Sequence, residues 1–420
     1  MRLLIHDYAG HAFPVQLSRW LAGQGHTVRH LYSAAVESPR GPLAPRPDDP
    51  PGLHLVPLAE GRRLDKYRPL RRLAQEAAYT REVAAAARAF RPDAALSGNC
   101  SPAIQHGLAR AVRAGGGRFV YWLQDLYAPA LQAALGRRLP GRLGGLADTG
   151  AGIAARLENA ALRAGDAVVT ITPDFGPRLA AAGVPPERRI VLPNWAPLPA
   201  APSALAAAAS AWREAQGLSG RFVFLYTGTL GLKHSPDTLA ALARAFRHDP
   251  EVRVVVATQG PGRTRLDALK AADGLDNLIL RDFLPADAVA AAQRAADVLL
   301  AVLTPAAAGF SVPSKVLAYL AAGRPVLAAI PADNLAARVL AEAGAGEVVP
   351  PGEMSAWLAA AWHLRHEAAR RERLGAAGAA WAAAHFDIAR IGPRFQAVLA
   401  GAPLPADGCE QATARLDAAA

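Results

Sequence analysis

Gly309-Phe310-Ser311-Val312-Pro313-Ser314-Lys315 leads directly into the apolar run 316–322 and closes at Gly323-Arg324-Pro325-Val326. The run before it, 295–302, reads AADVLLAV, short and apolar with a branched centre, as a buried strand does. The segment is therefore read as strand, glycine loop and helix, the helix beginning near Pro313, a residue suited to a first helical turn. Such a junction aims free backbone N–H groups and the positive end of a helix at one point, where a phosphate is favoured. Lys315 sharpens the reading, because the chain has four lysines (Lys66, Lys233, Lys270 and Lys315) among 46 basic residues. Arginine is the ordinary cation here, and a lysine at this place suggests a compact ammonium kept for a site.

A second junction of the same kind lies upstream. Residues 221–227, RFVFLYT, form a strand by their β-branched and aromatic content. Gly228-Thr229-Leu230-Gly231-Leu232-Lys233-His234-Ser235-Pro236 follows as a loop opening the helix 237–246. Both junctions sit at the carboxyl ends of presumed parallel strands, where open α/β sheets bind ligands. Two anion cradles suit a diphosphate better than a single phosphate.

At 420 residues the chain exceeds what one hydrophobic core usually organises, so two domains are expected. With 52% hydrophobic and 19% charged residues it is a globular α/β sequence. Cys100 and Cys409 are distant and unpatterned, which supports neither a disulfide framework nor a zinc site and points to a reducing cytoplasm. No uninterrupted apolar run reaches the length of about 18 residues that a spanning helix needs. The start, Met1-Arg2-Leu3-Leu4-Ile5-His6, reads as a strand rather than a signal peptide. The net charge of +11 comes with no nucleic-acid-binding motif, so no nucleic-acid partner is expected.

The first half alternates strands at 2–6, 27–32, 53–57, 93–96, 119–122, 167–171 and 190–192 with helices that include 15–23 and about 65–90. That spacing implies a parallel sheet covered on both faces. Residues 194–202, NWAPLPAAP, break all periodicity and are placed as the domain linker. The pattern repeats over 221–349 and ends in helices at about 353–364, 367–384 and 387–399. Residues 401–420 read as a flexible tail.

Four motifs carry a family resemblance: Gly228-Thr229-Leu230-Gly231-Leu232-Lys233, Gly260-Pro261-Gly262, the stretch from Val312 to Val326, and Gly344-Ala345-Gly346-Glu347-Val348-Val349-Pro350-Pro351-Gly352. Together they resemble the donor half of the family 4 retaining glycosyltransferases, in their WcaI/WbuB-like branch. The resemblance implies the GT-B architecture: two doubly wound Rossmann-like α/β domains facing a central cleft. Residues 1–195 would form the acceptor-side domain, with the helix at about 386–400 packing back on it, and 203–385 the nucleotide-sugar domain.

The resemblance also implies a site. Lys233 matches the family's phosphate lysine, and its place after a strand and glycine loop favours that role over the alternative of a solvated surface cation. Gly228, Thr229 and Gly260 would approach the donor, Thr229 standing where the family usually has a second cation, so that Lys315 or a nearby arginine would compensate. In the other loop, Phe310, Ser311 and Val312 would present backbone N–H groups, with Ser314 and Lys315 closing the site; a ligand-free βα turn is the alternative. Many members carry two glutamates spaced as Phe310 and Ala318 are here, the second on the ribose, and Ser314 is the substitute candidate.

In the first half, Gly10 would let backbone approach the departing diphosphate with His11 in reach of either substrate; equally, Gly10 is a turn residue and His11 a polar group at the start of a helix. Gln124 stands where the family often has histidine. Asp125 is the nearby carboxylate and is also suited to capping the next segment. Asn99, Gln124 and Asp125 are assigned to the acceptor side, and Lys233, Asp125 and His11 to catalysis.

The expected activity is transfer of a hexosyl or N-acetylhexosaminyl group, with retention, from a nucleotide-diphosphate sugar to a hydroxyl of a lipid-linked or glycan acceptor. No metal is required if lysines and helix dipoles neutralise the diphosphate. The alternatives are a sugar-nucleotide epimerase or an inverting enzyme on the same architecture, and an inactive nucleotide-sugar-binding protein. Arg62-Arg63-Leu64-Asp65-Lys66-Tyr67-Arg68-Pro69-Leu70-Arg71-Arg72-Leu73 and Arg137-Arg138-Leu139-Pro140-Gly141-Arg142-Leu143 mix arginine with leucine, as segments resting on an anionic leaflet do. A solvated helix face is the other reading. Peripheral attachment to the inner leaflet is thus an expectation beside a cytoplasmic location.

Overall fold

The computed structural model describes residues 1–36, 38, 40–62, 64, 69–138, 144–198, 201–231, 233–307 and 311–405. The first unit comprises residues 1–37, 43–193 and 388–420, and the second 38–42 and 194–387.

The first unit is built on seven parallel strands: β1 (Arg2–Asp7), β2 (Thr27–Ser33), β3 (Leu53–Leu58), β4 (Ala94–Gly98), β5 (Arg118–Leu123), β6 (Ala167–Thr170) and β7 (Arg189–Val191). Their order is β3-β2-β1-β4-β5-β6-β7, so the chain reverses its direction of travel across the sheet between β1 and β4. The helices are α1 (Ala12–Gly23), α2 (Pro69–Phe90), α3 (Pro102–Ala114), α4 (Tyr127–Arg138), α5 (Gly144–Ala164) and α6 (Gly176–Ala181). The central strands β4 and β5 are buried almost throughout, as expected where helices cover both faces.

The second unit begins with α7 (Pro202–Ala215) and carries β8 (Phe222–Thr227), β9 (Val252–Ala257), β10 (Leu278–Arg281), β11 (Val298–Val302), β12 (Val326–Ala329) and β13 (Gly346–Val349). Its order, β10-β9-β8-β11-β12-β13, places the reversal between β8 and β11. The helices are α8 (Pro236–Ala245), α9 (Pro261–Asp273), α10 (Val289–Ala295), α11 (Lys315–Ala321), α12 (Leu335–Ala343), α13 (Met354–His366) and α14 (Ala368–His385). All six residues of β8, FVFLYT, are buried. Both halves are therefore parallel-sheet Rossmann-like α/β domains.

The last helix, α15 (Ile388–Ala400), packs on α1, β4 and β5 of the first unit. Gly392 allows the close approach: a Cβ there would lie 2.4 Å from the Trp20 ring. Phe395 is fully buried against Trp122, ring centroids 4.9 Å apart.

Some expectations shift. The strand expected over 295–302 begins at Val298, because Ala295 still belongs to α10, and the helix expected near Pro313 begins at Lys315. No element was expected directly after the linker, yet α7 occupies that stretch, its alanine-rich run packed against α10. Phe310 lies outside the described residues, as do much of 62–73, residues 139–143 and the tail from 406.

Phe395→Ala is expected to destabilise the first unit by about 3–5 kcal/mol, the usual cost of emptying a buried aromatic site. Urea unfolding followed by tryptophan emission measures it. An unchanged midpoint would mean that α15 is not part of that unit's cooperative core.

Candidate functional site

The expected site residues that are described lie at or one strand away from the two reversal points, where the flanking connections leave on opposite faces of the sheet and open a crevice at the strand ends. In the second unit the two strands at the reversal part early. β8 pairs with β9 over six residues, but among the described residues only Phe224 and Leu225 have Cα partners on β11. Beyond that point Tyr319 of α11 takes over. Its buried phenol accepts a hydrogen bond from the Thr227 N–H at 3.1 Å. Burial pushes that phenol up to about 12 despite the opposing hydrogen bonds from Thr227, so it stays protonated. Gln293 Nε2 donates to Thr227 Oγ1 at 3.1 Å and fixes the strand end from the other side.

The loop after β8 is held in several ways. Gly228 has φ 109°, a conformation open to glycine and strained for other residues. The Tyr226 hydroxyl donates to the Thr229 carbonyl at 2.7 Å. His234 Nδ1 accepts from the Gly231 N–H at 3.1 Å, and burial, with Lys315 and Lys233 alongside, holds this imidazole down to about 2 and so neutral. Buried Leu230 rests against the turn after β9, where a Cβ on Gly262 would lie 2.1 Å from the Leu230 carbonyl oxygen. Gly260 in the same turn has φ 88° and is exposed.

Lys233 is stitched to the other junction. Its carbonyl accepts from the Thr304 N–H at 2.9 Å, and its ammonium donates to Ser311 Oγ. Ser311 was expected to offer a free N–H to a ligand; that group instead donates to the Ala307 carbonyl at 3.2 Å, which leaves the hydroxyl as the polar contribution of this residue. Asn334, which the sequence reading passed over, donates to the Ser311 carbonyl at 2.9 Å while capping α12 through the Ala336 N–H at 3.0 Å. An asparagine before an apolar helical run was its only signal.

Lys315 lies beneath the first loop. Its Nζ is 3.4 Å from the centroid of the Tyr226 ring, a cation–π geometry, and next to Gly228. The atom is buried and has no hydrogen-bond partner. Burial first and Lys233 second hold this amine well below the usual lysine range. Thr229 and Ser314 are exposed and Val312 half-buried, and Ala318 follows Ser314 by one helical turn.

In the first unit the organiser is Asp7, to which the sequence assigned no role. The fully buried carboxylate accepts from the backbone N–H groups of Ala9 and His11 and from Asn99 Nδ2 at 2.9 Å. Burial alone would raise its pKa, but His11 and the Asn99 hydrogen bond hold it well below the usual carboxylate range. Gly10 takes φ 73°, and Asn99 takes φ 57°, a cost its bond to Asp7 offsets. The His11 ring, a third exposed, lies 3.4 Å from Asp7 Oδ1 through Nδ1. Asp125 is exposed and Gln124 nearly buried. Capping of α4, one reading of Asp125, is supplied elsewhere: the Tyr127 N–H donates to buried Glu158 at 2.6 Å.

Two histidines of the same half, His6 and His30, are fully buried. His6 bridges Ser97 Oγ (2.7 Å) and the Tyr79 hydroxyl (3.0 Å), and His30 meets Ser18 Oγ (2.8 Å). Burial lowers both from 6.5 to about 4. An imidazole that resists protonation when folded contributes stability fully present above pH 6.5 and lost as pH falls towards 4. The expected loss is ~3 kcal/mol per imidazole across that window. Denaturant titrations at neutral and mildly acidic pH check it, and His30→Gln is expected to flatten the slope.

Comparison with known proteins agrees with this geometry. The Glycosyl transferase 4-like domain family matches residues 11–195, and the Glycosyl transferases group 1 family matches 221–366. The colanic acid biosynthesis glycosyl transferase WcaI of Escherichia coli strain K12 is 26% identical over 317 residues, covering 73% of this chain and 76% of WcaI. Among solved structures, Anabaena HepE in complex with UDP-glucose superposes with TM-score 0.66 at 16% identity, over 96% of this chain and 100% of that one. Sucrose-phosphate synthase from Thermosynechococcus elongatus gives 0.69 at 15% identity, over 96% and 98%. WaaG, of lipopolysaccharide biosynthesis, gives 0.64 at 17% identity, over 95% and 100%. Those structures share the fold. With one glycosyltransferase family model on each half and a WcaI-like sequence running through both, the chain belongs to the family 4 glycosyltransferases of the GT-B fold.

Proposed function

We propose that this glycosyltransferase moves a hexosyl or N-acetylhexosaminyl group from a nucleotide-diphosphate sugar to a hydroxyl of a lipid-linked glycan, with retention at the anomeric carbon, in cell-surface polysaccharide synthesis. The observation that carries the reading is the pair of lysines at the β8/β11 reversal: Lys233 on Ser311 and Lys315 on Tyr226, beside a glycine loop. Cations and loop dipoles at a strand end are what a diphosphate leaving group needs, because its negative charge grows as the glycosidic bond breaks. HepE, crystallised with UDP-glucose, makes that nucleotide sugar the first donor to try.

In this reaction the bond from the anomeric carbon to the diphosphate breaks and the bond to the acceptor oxygen forms on the same face. The departing phosphate oxygen takes the acceptor's proton. Lys233 stabilises the diphosphate as it departs. No glutamate stands at Ala318 to hold the ribose, and that role is assigned to Ser314, which is exposed one turn earlier. Asn99, Gln124 and Asp125 are assigned to the acceptor side, Gly10 to the approach of the departing diphosphate, and His11 and Asp125 to catalysis with Lys233, the buried Asp7 carboxylate holding the Gly10–His11 loop. A lipid-linked acceptor accords with the exposed Leu73 of α2 and the exposed Ile153 and Leu157, one turn apart on α5. Reversible binding to anionic vesicles at low salt, lost at high salt, is the expected flotation result.

A thermal-shift screen of UDP-, GDP- and dTDP-sugars identifies the donor, since a ligand that binds the folded state raises its apparent stability. Lys233→Ala is expected to fold normally and lower kcat by about a hundredfold, the usual loss when one stabilising group at a developing anion is removed. Equal kcat in variant and parent would remove Lys233 from the reaction.

A further inference from the structure

The charge at the end of β8 is one-sided. Lys315 Nζ is buried with no acceptor, on the face of Tyr226. The nearest titratable groups on the loop after β8 are Lys233 and His234, both basic. The strands that α11 packs against, β11 and β12, carry only Val, Leu and Ala. The facing helix α14 meets α11 at its far end, through Gly375 at Gly323 and Gly378 at Leu320, with Arg371, Glu372 and Arg373 just before that contact. Among the described residues no carboxylate contributes to the electrostatics of Lys315 or of His234. An ammonium enclosed without a counter-ion or an acceptor is strongly disfavoured and gives up its proton. A neutral amine on the Tyr226 ring satisfies the site only until an anion arrives.

We propose that Lys315 is a diphosphate-binding residue that waits as a neutral amine and takes one proton from solvent when a nucleotide sugar's diphosphate settles against Gly228 and Lys233. The proposal rests on the reading of this site as the donor site and adds its proton balance. Each phosphate of a nucleotide-diphosphate sugar is doubly substituted, by one ester and the shared anhydride, and its single remaining acidic group is already ionised in neutral water, so the ligand itself neither gains nor loses a proton near pH 7.5. Uptake is therefore assignable to the protein, and donor affinity is coupled to pH through this one amine.

The test is calorimetric titration of UDP-glucose into the full chain near pH 7.5, in buffers of differing ionisation enthalpy. The expected result is uptake of about one proton per site, with affinity falling about tenfold per pH unit between about 7 and 8.5. Lys315→Met is expected to bind more weakly with no uptake and a flat pH profile. Lys315→Arg, which cannot discharge, is expected to keep affinity while abolishing uptake. Binding by the parent with uptake below about 0.2 proton, or undiminished uptake in Lys315→Met, would overturn the proposal and leave the donor-site reading standing. Absence of binding by UDP-glucose and by the other nucleotide sugars of the screen would instead overturn that reading, and the proposal with it.

Discussion

The hydrogen bond from the Thr227 N–H to the Tyr319 phenol is the interaction on which the rest of the second unit's site depends. A parallel sheet that opened between β8 and β11 would leave backbone donors buried and unsatisfied, a cost of about 1–3 kcal/mol for each. Tyr319 removes that cost at one donor while keeping the strands apart. Because Tyr319 belongs to α11, the same contact sets the position of that helix and so of Lys315 at its start. The adjacent Tyr226 completes the arrangement, with its ring under the amine and its hydroxyl on the Thr229 carbonyl.

The two units use one architecture with opposite electrostatics. At the reversal between β1 and β4 a buried carboxylate gathers N–H groups inward, so the donors of that loop are consumed by the protein itself. At the reversal between β8 and β11 the buried ionisable group is instead the Lys315 amine, which has no carboxylate beside it and lies next to a glycine loop. A loop organised by its own anion is a poor receptor for phosphate and a good rigid platform for hydroxyl groups. The difference lies at the strand ends, since both first strands are buried along most of their length.

Much of this was legible in the chain. Runs such as FVFLYT, followed by glycine, lysine and a helix start, mark strand, loop and helix because each feature acts within a few residues. Lys233 and Lys315 stood out by scarcity of type. The roles of Asp7, Asn334 and Glu158 were not legible, because each is set by a partner from another part of the chain: Asn99, Ser311 and Tyr127. The free Ser311 N–H failed for a related reason, its acceptor being a carbonyl whose direction depends on how the loop turns. Helix α7 was missed because a proline-rich opening was read as the whole linker, while proline in a first helical turn is compatible with the helix that follows.

The contact between Leu230 and Gly262 ties the loops after β8 and β9 into one unit. With the Leu230 carbonyl occupying the volume of a Cβ at position 262, neither loop can be exchanged alone. A chimera that imported only the segment after β8 from another transferase would present a different backbone to an unchanged glycine turn. Transplants between such enzymes should therefore carry residues 228–234 and 260–262 together, as a paired cassette with its own internal fit.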